Sequence, residues 1–486
     1  MRRTGFVGFG LFLLLFPGCA LTPDYERPPL AVPASWERTE AVQEAIANTP
    51  WWEIYDDSVL QTLIERALEQ NQDLAIALAR LEESRYLVTF TRAEQFPFLD
   101  VFGSAGRGRQ SKKVNSRANT LSNFGVGANL SFEIDLWRRY ARGTEAARAD
   151  LLASEFGVRN VTISLVAEVA DLYFRLQDLT ARLEISRRTA EGRAERLEII
   201  QARFERGIEP EIDVNQAQVQ LAVAEASVTQ FQRLAAQTEH ALRLVLGDFP
   251  GRVQLGSRVD FERVPLVVPT GLPSQLLQRR PDVQEAEQVL VAETARIGVA
   301  QALRFPSLSL TSQISVVATD LTDLNSMDAG QWSLAAGLFQ PIFNSGQLKA
   351  QKEAQVARAT QAREGYVLTL LNAFREVENA IVATETFRTE FSARSRQVTA
   401  AANAARLSRA RYDAGVVDYL EVLDSERTLF DAELRHSRAH RSVLSSFVSL
   451  YKALGGGWDG RVFGEEGGET PSGRAKVPQS DASIER

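Results

Sequence analysis

Enzyme or metal chemistry would need nucleophiles, imidazoles or thiolates gathered at useful spacings. The chain offers one cysteine and three histidines, His240, His436 and His440, in 486 residues. A single cysteine excludes an internal disulfide and a thiolate metal cluster. His436 and His440 stand at i and i+4, a spacing that could mimic a zinc-binding pair on one helix face, but no further ligand accompanies them. No nucleophile–His–acid set and no glycine-rich phosphate loop stands out, so an enzyme is the least favoured class and no cofactor is expected.

The residue with a distinct chemical prospect is Cys19. Arg2 and Arg3 precede an apolar stretch, Gly5 to Phe16, that is too short to span a bilayer as a helix and reads as an export signal. It ends at Phe16-Pro17-Gly18-Cys19, where a lipoprotein signal peptidase would cut and a lipid would be attached. Such a covalent lipid anchors a mature N-terminus, since each buried CH₂ contributes about 0.8 kcal/mol. Ala20 rather than Asp follows the cysteine, as expected for sorting to the outer membrane of a Gram-negative cell. The proline-rich run from Leu21 to Trp36 should be an extended surface strap.

With 55 basic and 62 acidic residues the formal charge is −7, which argues against a dedicated nucleic-acid binder. At 44% hydrophobic and 24% charged the chain is not a disordered one, and no long apolar run beyond the N-terminus suggests a helical membrane protein.

The elements that would carry any site repeat themselves. Arg203-Phe204-Glu205-Arg206-Gly207-Ile208 returns as Arg411-Tyr412-Asp413-Ala414-Gly415-Val416, Ile212-Asp213-Val214 as Leu420-Glu421-Val422, and Phe96-Pro97 as Phe305-Pro306. One offset of roughly 208 residues covers all these pairs, so the chain is a tandem duplication. Each half reads helix, strand, strand, long helix, tight turn, helix. Ser58 to Gln95 has a helical pattern. Ser122 to Trp137 alternates with period two, Phe124, Val126, Ala128, Leu130, Phe132 and Ile134 facing one way and small or polar residues the other. Leu99 to Ala105, Leu308 to Val316 and Trp332 to Leu338 supply three more such strands.

These strands are long enough to cross a membrane when tilted, with an apolar face for lipid and a small, polar face for water. The alternative is a soluble hairpin packed by one face on a core. Four strands cannot close, and an open edge is not tolerated in lipid; two copies would give eight strands and three would give twelve. Thr144–Arg206 and Gln347–Ala414 lack proline, and sixty-odd helical residues span on the order of 100 Å. Leu165, Val169, Leu172, Leu176, Leu179 and Leu183 step by four and three, as do Ala217, Leu221, Ala224, Val228, Phe231, Ala235, Thr238, Leu242 and Val245, which is a coiled-coil seam. Gly207 and Gly415 sit where a helix ends in positive φ, Pro210 suits the first turn of the next helix, and Asp418 with Glu421 has the form of a capping box.

Taken together the chain resembles the outer membrane factors of Gram-negative tripartite efflux systems, the TolC-like proteins, in their OprM/NodT lipoprotein branch. The resemblance rests on Cys19-Ala20-Leu21-Thr22-Pro23-Asp24-Tyr25 with Arg27-Pro28, on Trp51-Trp52, on Arg279-Arg280-Pro281-Asp282-Val283 with Ala286-Glu287, on Phe305-Pro306-Ser307-Leu308 and on the Arg411-Tyr412 turn, and runs from Cys19 to about Gly457. It implies an α+β membrane protein: a homotrimer whose twelve-stranded transmembrane β-barrel continues into a long periplasmic α-helical barrel. That choice settles the copy number left open above.

The resemblance further implies a pore closed at its periplasmic tip. Leu420 would form an apolar ring and Asp424 an acidic ring, with Glu421 as a further gate candidate; three facing carboxylates repel anions and raise one another's pKa. For Asp424 and Glu421 the plainer role is to complement a helix dipole, worth about 0.3–1 kcal/mol. Arg411 and Tyr412 would hold the tip shut with Asp213 of a neighbouring hairpin, although Val417 stands where some relatives carry an arginine that strengthens this lock. The turns at Gly207, Ile208, Gly415 and Val416 would receive a periplasmic adaptor, itself joined to an inner-membrane transporter. A type I protein-secretion duct shares this architecture; a periplasmic coiled-coil scaffold would explain the rods but not the strands. The expected layout is a signal peptide over 1–18, a lipidated strap over 19–56, a first repeat over 57–248, a linker over 249–273, a second repeat over 274–457 and a disordered tail over 458–486.

Overall fold

A computed structural model describes residues 23–29, 33, 35–36, 52, 55–109, 111, 113, 120–259, 273 and 276–456. Cys19, the export signal, part of the linker and the C-terminal tail lie outside the described residues.

The first repeat runs α1 (Ser58–Gln70), α2 (Gln72–Ala93), β1 (Phe98–Arg109), β2 (Thr120–Ile134), α3 (Arg139–Glu205) and α4 (Glu211–Val245). After the short α5 (Leu276–Arg279), the second runs α6 (Pro281–Ala302), β3 (Ser307–Ala318), β4 (Gly330–Phe339), α7 (Gln347–Asp413) and α8 (Tyr419–Ala453). The long helices α3 and α7 each have 67 residues, and α4 and α8 each have 35. At about 1.5 Å per residue the longer pair reach roughly 100 Å.

The helical stretch expected over Ser58 to Gln95 is two helices. Asn71 breaks it: its backbone is extended, its Oδ1 accepts from Leu74 N at 2.9 Å to cap α2, and its Nδ2 donates to Val245 O at 2.8 Å, tying down the end of α4. Asn does both because a short amide offers an acceptor for a cap and donors besides. Pro210 also sits one place earlier than expected, as the N-cap of α4 rather than in its first turn.

The four strands form one antiparallel sheet in the order β1-β2-β3-β4. Their register sets Val101 opposite Ala128, Ala128 opposite Ile314 and Ile314 opposite Trp332. Because side chains alternate, this one row puts the apolar stripes of all four strands on a single face. That face packs on nothing within the chain: Val101 is 78% exposed, Ile314 67%, Trp332 80% and Leu334 74%. The soluble-hairpin alternative requires the opposite. The other face carries Asp100, Asn129, Gln313 and Ser333 in one row. Gly127 is obligatory on that side, since a Cβ there would lie 2.5 Å from Ser315 Cβ and 2.9 Å from Phe102 Cζ.

The main core lies where α1, α3 and α8 meet, around Leu60, Ile64, Val169, Tyr173, Phe174 and Phe447. Tyr173 donates to Asp57 Oδ2 at 2.6 Å while Asp57 Oδ1 caps α1 through Val59 N and Leu60 N. Gly256 N donates in turn to the Tyr173 hydroxyl at 2.9 Å. The seam residues Leu165, Val169, Leu176 and Leu179 are buried, as are Ala217, Ala224, Phe231, Thr238 and Leu242. His440 hydrogen-bonds the carbonyl of Val259 at 3.0 Å and His436 meets Ser395 at 3.1 Å, so both rings serve packing between α8 and its neighbours. The strap docks by charge: Arg27 reaches Glu287 of α6 at 2.7 and 2.8 Å, and the Tyr25 hydroxyl donates to the same carboxylate at 2.8 Å. Arg280 donates to Ala453 O at 3.0 Å and pairs with Asp282 and Glu376, joining the start of α6 to the last residue of α8 and to the middle of α7.

Candidate functional site

The far ends of the two helical hairpins close in the same way. Gly207 and Gly415 both have φ +71°, and the amides of Ile208 and Val416 reach back to the carbonyls of Arg203 and Arg411 at 2.9 Å. A glycine is needed because the left-handed conformation penalises any Cβ. The same closure ends α4 at Gly247 (φ +75°) and α8 at Gly455 (φ +71°), two positions the sequence reading passed over although they obey the repeat offset.

Near the far ends, Ile200 of α3, Ala217 of α4, Tyr412 of α7 and Tyr419, Val422 and Leu423 of α8 form a separate small core. Polar contacts ring it. The Tyr412 hydroxyl donates to Glu209 Oε1 at 2.6 Å, and Arg203 Nη1 stands 3.6 Å from the same oxygen. Burial, then the Glu209 carboxylate, pushes the Tyr412 hydroxyl up to about 12. Asp213 lies beside Glu209; burial first, then Glu209 and Asp418, raise its pKa above the ordinary Asp value. Arg411 pairs with Glu421 at 2.9 Å, and Glu426 takes Arg409 at 2.7 Å and Arg196 at 3.4 Å.

Of the expected lock residues, Tyr412 and Asp213 come together, but through Glu209, which the sequence reading did not single out. Within the chain neither Asp213 nor Tyr412 is the partner of Arg411; Glu421 is. Glu421 N donates to Asp418 Oδ1 at 3.4 Å, so half of the capping box forms, while the Glu421 carboxylate turns to Arg411. Glu209 and Val417 occupy matching places in the two repeats, so the offset was the signal that could have found Glu209. Val417 packs against the small core instead of entering the polar set.

Leu420 is 58% exposed, and Asp424 lies one turn further along α8, paired with Arg427 at 2.6 Å. Both line a groove of about 410 Å³ between α4 and α8, opposite Ile212, Asn215 and Val219. At the turns, Ile208 and Val416 are each 66% exposed. Among the described residues no group of three or more His, Cys, Asp or Glu could hold a metal ion, and no helix is long and apolar enough to cross a membrane.

Comparison with known proteins decides the family. The model of the outer membrane efflux protein family matches the chain twice, over residues 63–248 and 272–456. The chain belongs to that family. Its two matches follow the duplication seen in the helices. Among curated relatives, the cation efflux system protein CusC of Escherichia coli O157:H7 is 34% identical over 450 residues, covering 92% of this chain and 97% of its own. The probable efflux pump outer membrane protein TtgC of Pseudomonas putida is 34% identical over 476 residues, covering 94% and 97%. Among solved structures, the outer-membrane channel OprN superposes with a TM-score of 0.83 at 31% identity, covering 90% of this chain and 100% of that one. This outer membrane efflux protein therefore has the TolC-like channel fold, an α+β architecture of strands followed by very long helices.

Proposed function

We propose that the chain is the outer membrane channel of a tripartite efflux system, exporting small molecules from the periplasmic side to the exterior. The observation that carries the reading is the four-stranded sheet: its apolar face is bare, its two edges are open, and it continues directly into helices of roughly 100 Å. Three copies would supply twelve strands, close both edges and turn the bare face to lipid, leaving the Asp100–Asn129–Gln313–Ser333 face to water. The helices of three copies would then form a hollow stalk reaching into the periplasm.

In that assembly the α4–α8 ends form the tip, with Leu420 and Asp424 presented to the pore, and opening moves these inner helices outward as a two-state change. The Tyr412–Glu209–Asp213 and Arg411–Glu421 contacts hold the closed state. A periplasmic adaptor, coupled to an inner-membrane transporter, docks on the exposed turns at Gly207, Ile208, Gly415 and Val416 and lends the free energy for opening. Cys19 carries a lipid, the only covalent group expected, and no enzymatic step is involved.

Purified protein reconstituted in planar bilayers tests the reading. Discrete ion conductance from a species with the mass of three copies is expected; a water-soluble monomer that never makes the bilayer conduct overturns it.

A further inference from the structure

The apolar row of β1 ends in charge. Arg107 and Arg109 continue the side of the strand that carries Leu99, Val101 and Ala105, facing Ser122 and Thr120 across the β1–β2 ladder. Both arginines and the nearby Lys113 are exposed, and none of the three forms an ion pair with a described residue. The sequence from Val101 to Phe132 contains no acidic residue at all. The β3–β4 hairpin is the reverse, with Asp320, Asp323 and Asp328 and no basic residue.

The spacing fits a membrane surface. From Leu99 to Arg107 the strand advances about 27 Å at roughly 3.4 Å per residue, and a tilt near 40° lowers that to about 21 Å, against an apolar band of about 25 Å. Arg107 therefore lies about 4 Å below the upper edge of the hydrocarbon, a gap its long side chain can cross, Arg109 lies at that edge, and Lys113 follows four residues beyond the end of the strand. Arginine recognises phosphate oxygens with paired donors and extends its apolar stem along the band below. We propose that Arg107, Arg109 and Lys113 form a binding site for the phosphate groups of the phosphorylated glycolipid in the outer leaflet. The inference rests on the membrane-barrel reading of the sheet. A competing occupant is the acidic hairpin of an adjacent copy. The lipid is favoured because the arginines lie on the apolar row, and because the acidic hairpin, already next to β2 within the chain, draws no ion pair from them among the described residues.

The test uses full-length protein purified in neutral detergent and titrated with bisphosphorylated lipid A, with dephosphorylated lipid A as the control and native mass spectrometry as the readout. The wild type should prefer the phosphorylated lipid by about thirtyfold. Arg107→Gln with Arg109→Gln should lose most of that preference while its oligomer and bilayer conductance stay intact, and Arg107→Lys with Arg109→Lys should keep most of it. Millimolar inorganic phosphate should not displace the lipid. Equal wild-type affinity for the two lipids, an unchanged glutamine variant, displacement by free phosphate, or a glutamine variant that falls to monomers without lipid would each overturn the site. Conductance of the wild type is recorded alongside. Its absence sinks the channel reading, whereas conductance without lipid discrimination sinks this inference alone.

Discussion

The Tyr412 hydroxyl donates to Glu209 across 2.6 Å, joining the last turn of α7 to the loop that follows α3, positions 203 residues apart in the chain. It ties the two far-end turns of one molecule to each other. A hydrogen bond to a charged acceptor contributes about 1.5–3 kcal/mol when well shielded, and less here because the carboxylate is partly open to water. Tyr412→Phe keeps the ring in the small core and removes only this bond. Channels carrying it should open more readily, by up to about tenfold in the closed-to-open ratio. Single-channel recording checks this, and an unchanged open probability removes Tyr412 from the lock.

Acidity should favour closure. The Asp213 carboxyl is raised above the ordinary value of 3.8, chiefly by burial and then by Glu209. A group raised in the closed tip binds its proton more readily there than in an open, hydrated one. Its contribution to closure is complete below the ordinary value and fades as pH rises through the raised one. Conductance should therefore fall on acidification, and Asp213→Asn should flatten the profile. A variant with the wild-type pH response would refute the assignment.

Asp424→Ala tests the acidic ring. The Asp424–Arg427 pair is exposed on both sides and contributes about 0.3–0.5 kcal/mol to the helix, so the fold should persist. Larger conductance or weaker cation preference in bilayers is the expected result. Wild-type values for both quantities would leave Asp424 with a purely helical role.

Glu287→Ala should release the strap. Three donors from Tyr25 and Arg27 converge on that carboxylate, whose side chain is only 10% exposed. Hydrogen exchange over residues 24–27 should speed up markedly without loss of the oligomer. Unchanged protection would mean that the Asp24–Arg142 contact at 2.6 Å suffices to hold the strap.

Cys19→Ser should abolish labelling by a radioactive fatty acid while leaving the oligomer assembled, because in the proposed assembly the sheet and not the lipid would be the main anchor. Loss of the oligomer would show that the lipid organises assembly.

The strands and rods were legible because each has a period that sequence displays directly. Phe124 to Ile134 alternates without a break, and the Leu165–Leu179 seam holds its four-and-three steps through the region that becomes the core. The far-end turns were legible through Gly207 and Gly415, where conformation dictates the residue. Asn71 was not, since an asparagine within a helical pattern does not announce that it will cap the next helix and anchor a third. Glu209 was missed for a related reason: its importance comes from Tyr412, a residue far away in sequence. Likewise the Glu421 carboxylate had two suitors, a capping amide and Arg411, and only tertiary geometry chose the arginine.

The equal lengths of α3 and α7, and of α4 and α8, mean that both hairpins finish level with each other. A deletion in one rod alone would leave a ragged end and throw every seam contact beyond it out of phase. The reach of this molecule can thus be edited only in matched increments: whole heptads, removed from or added to all four helices together.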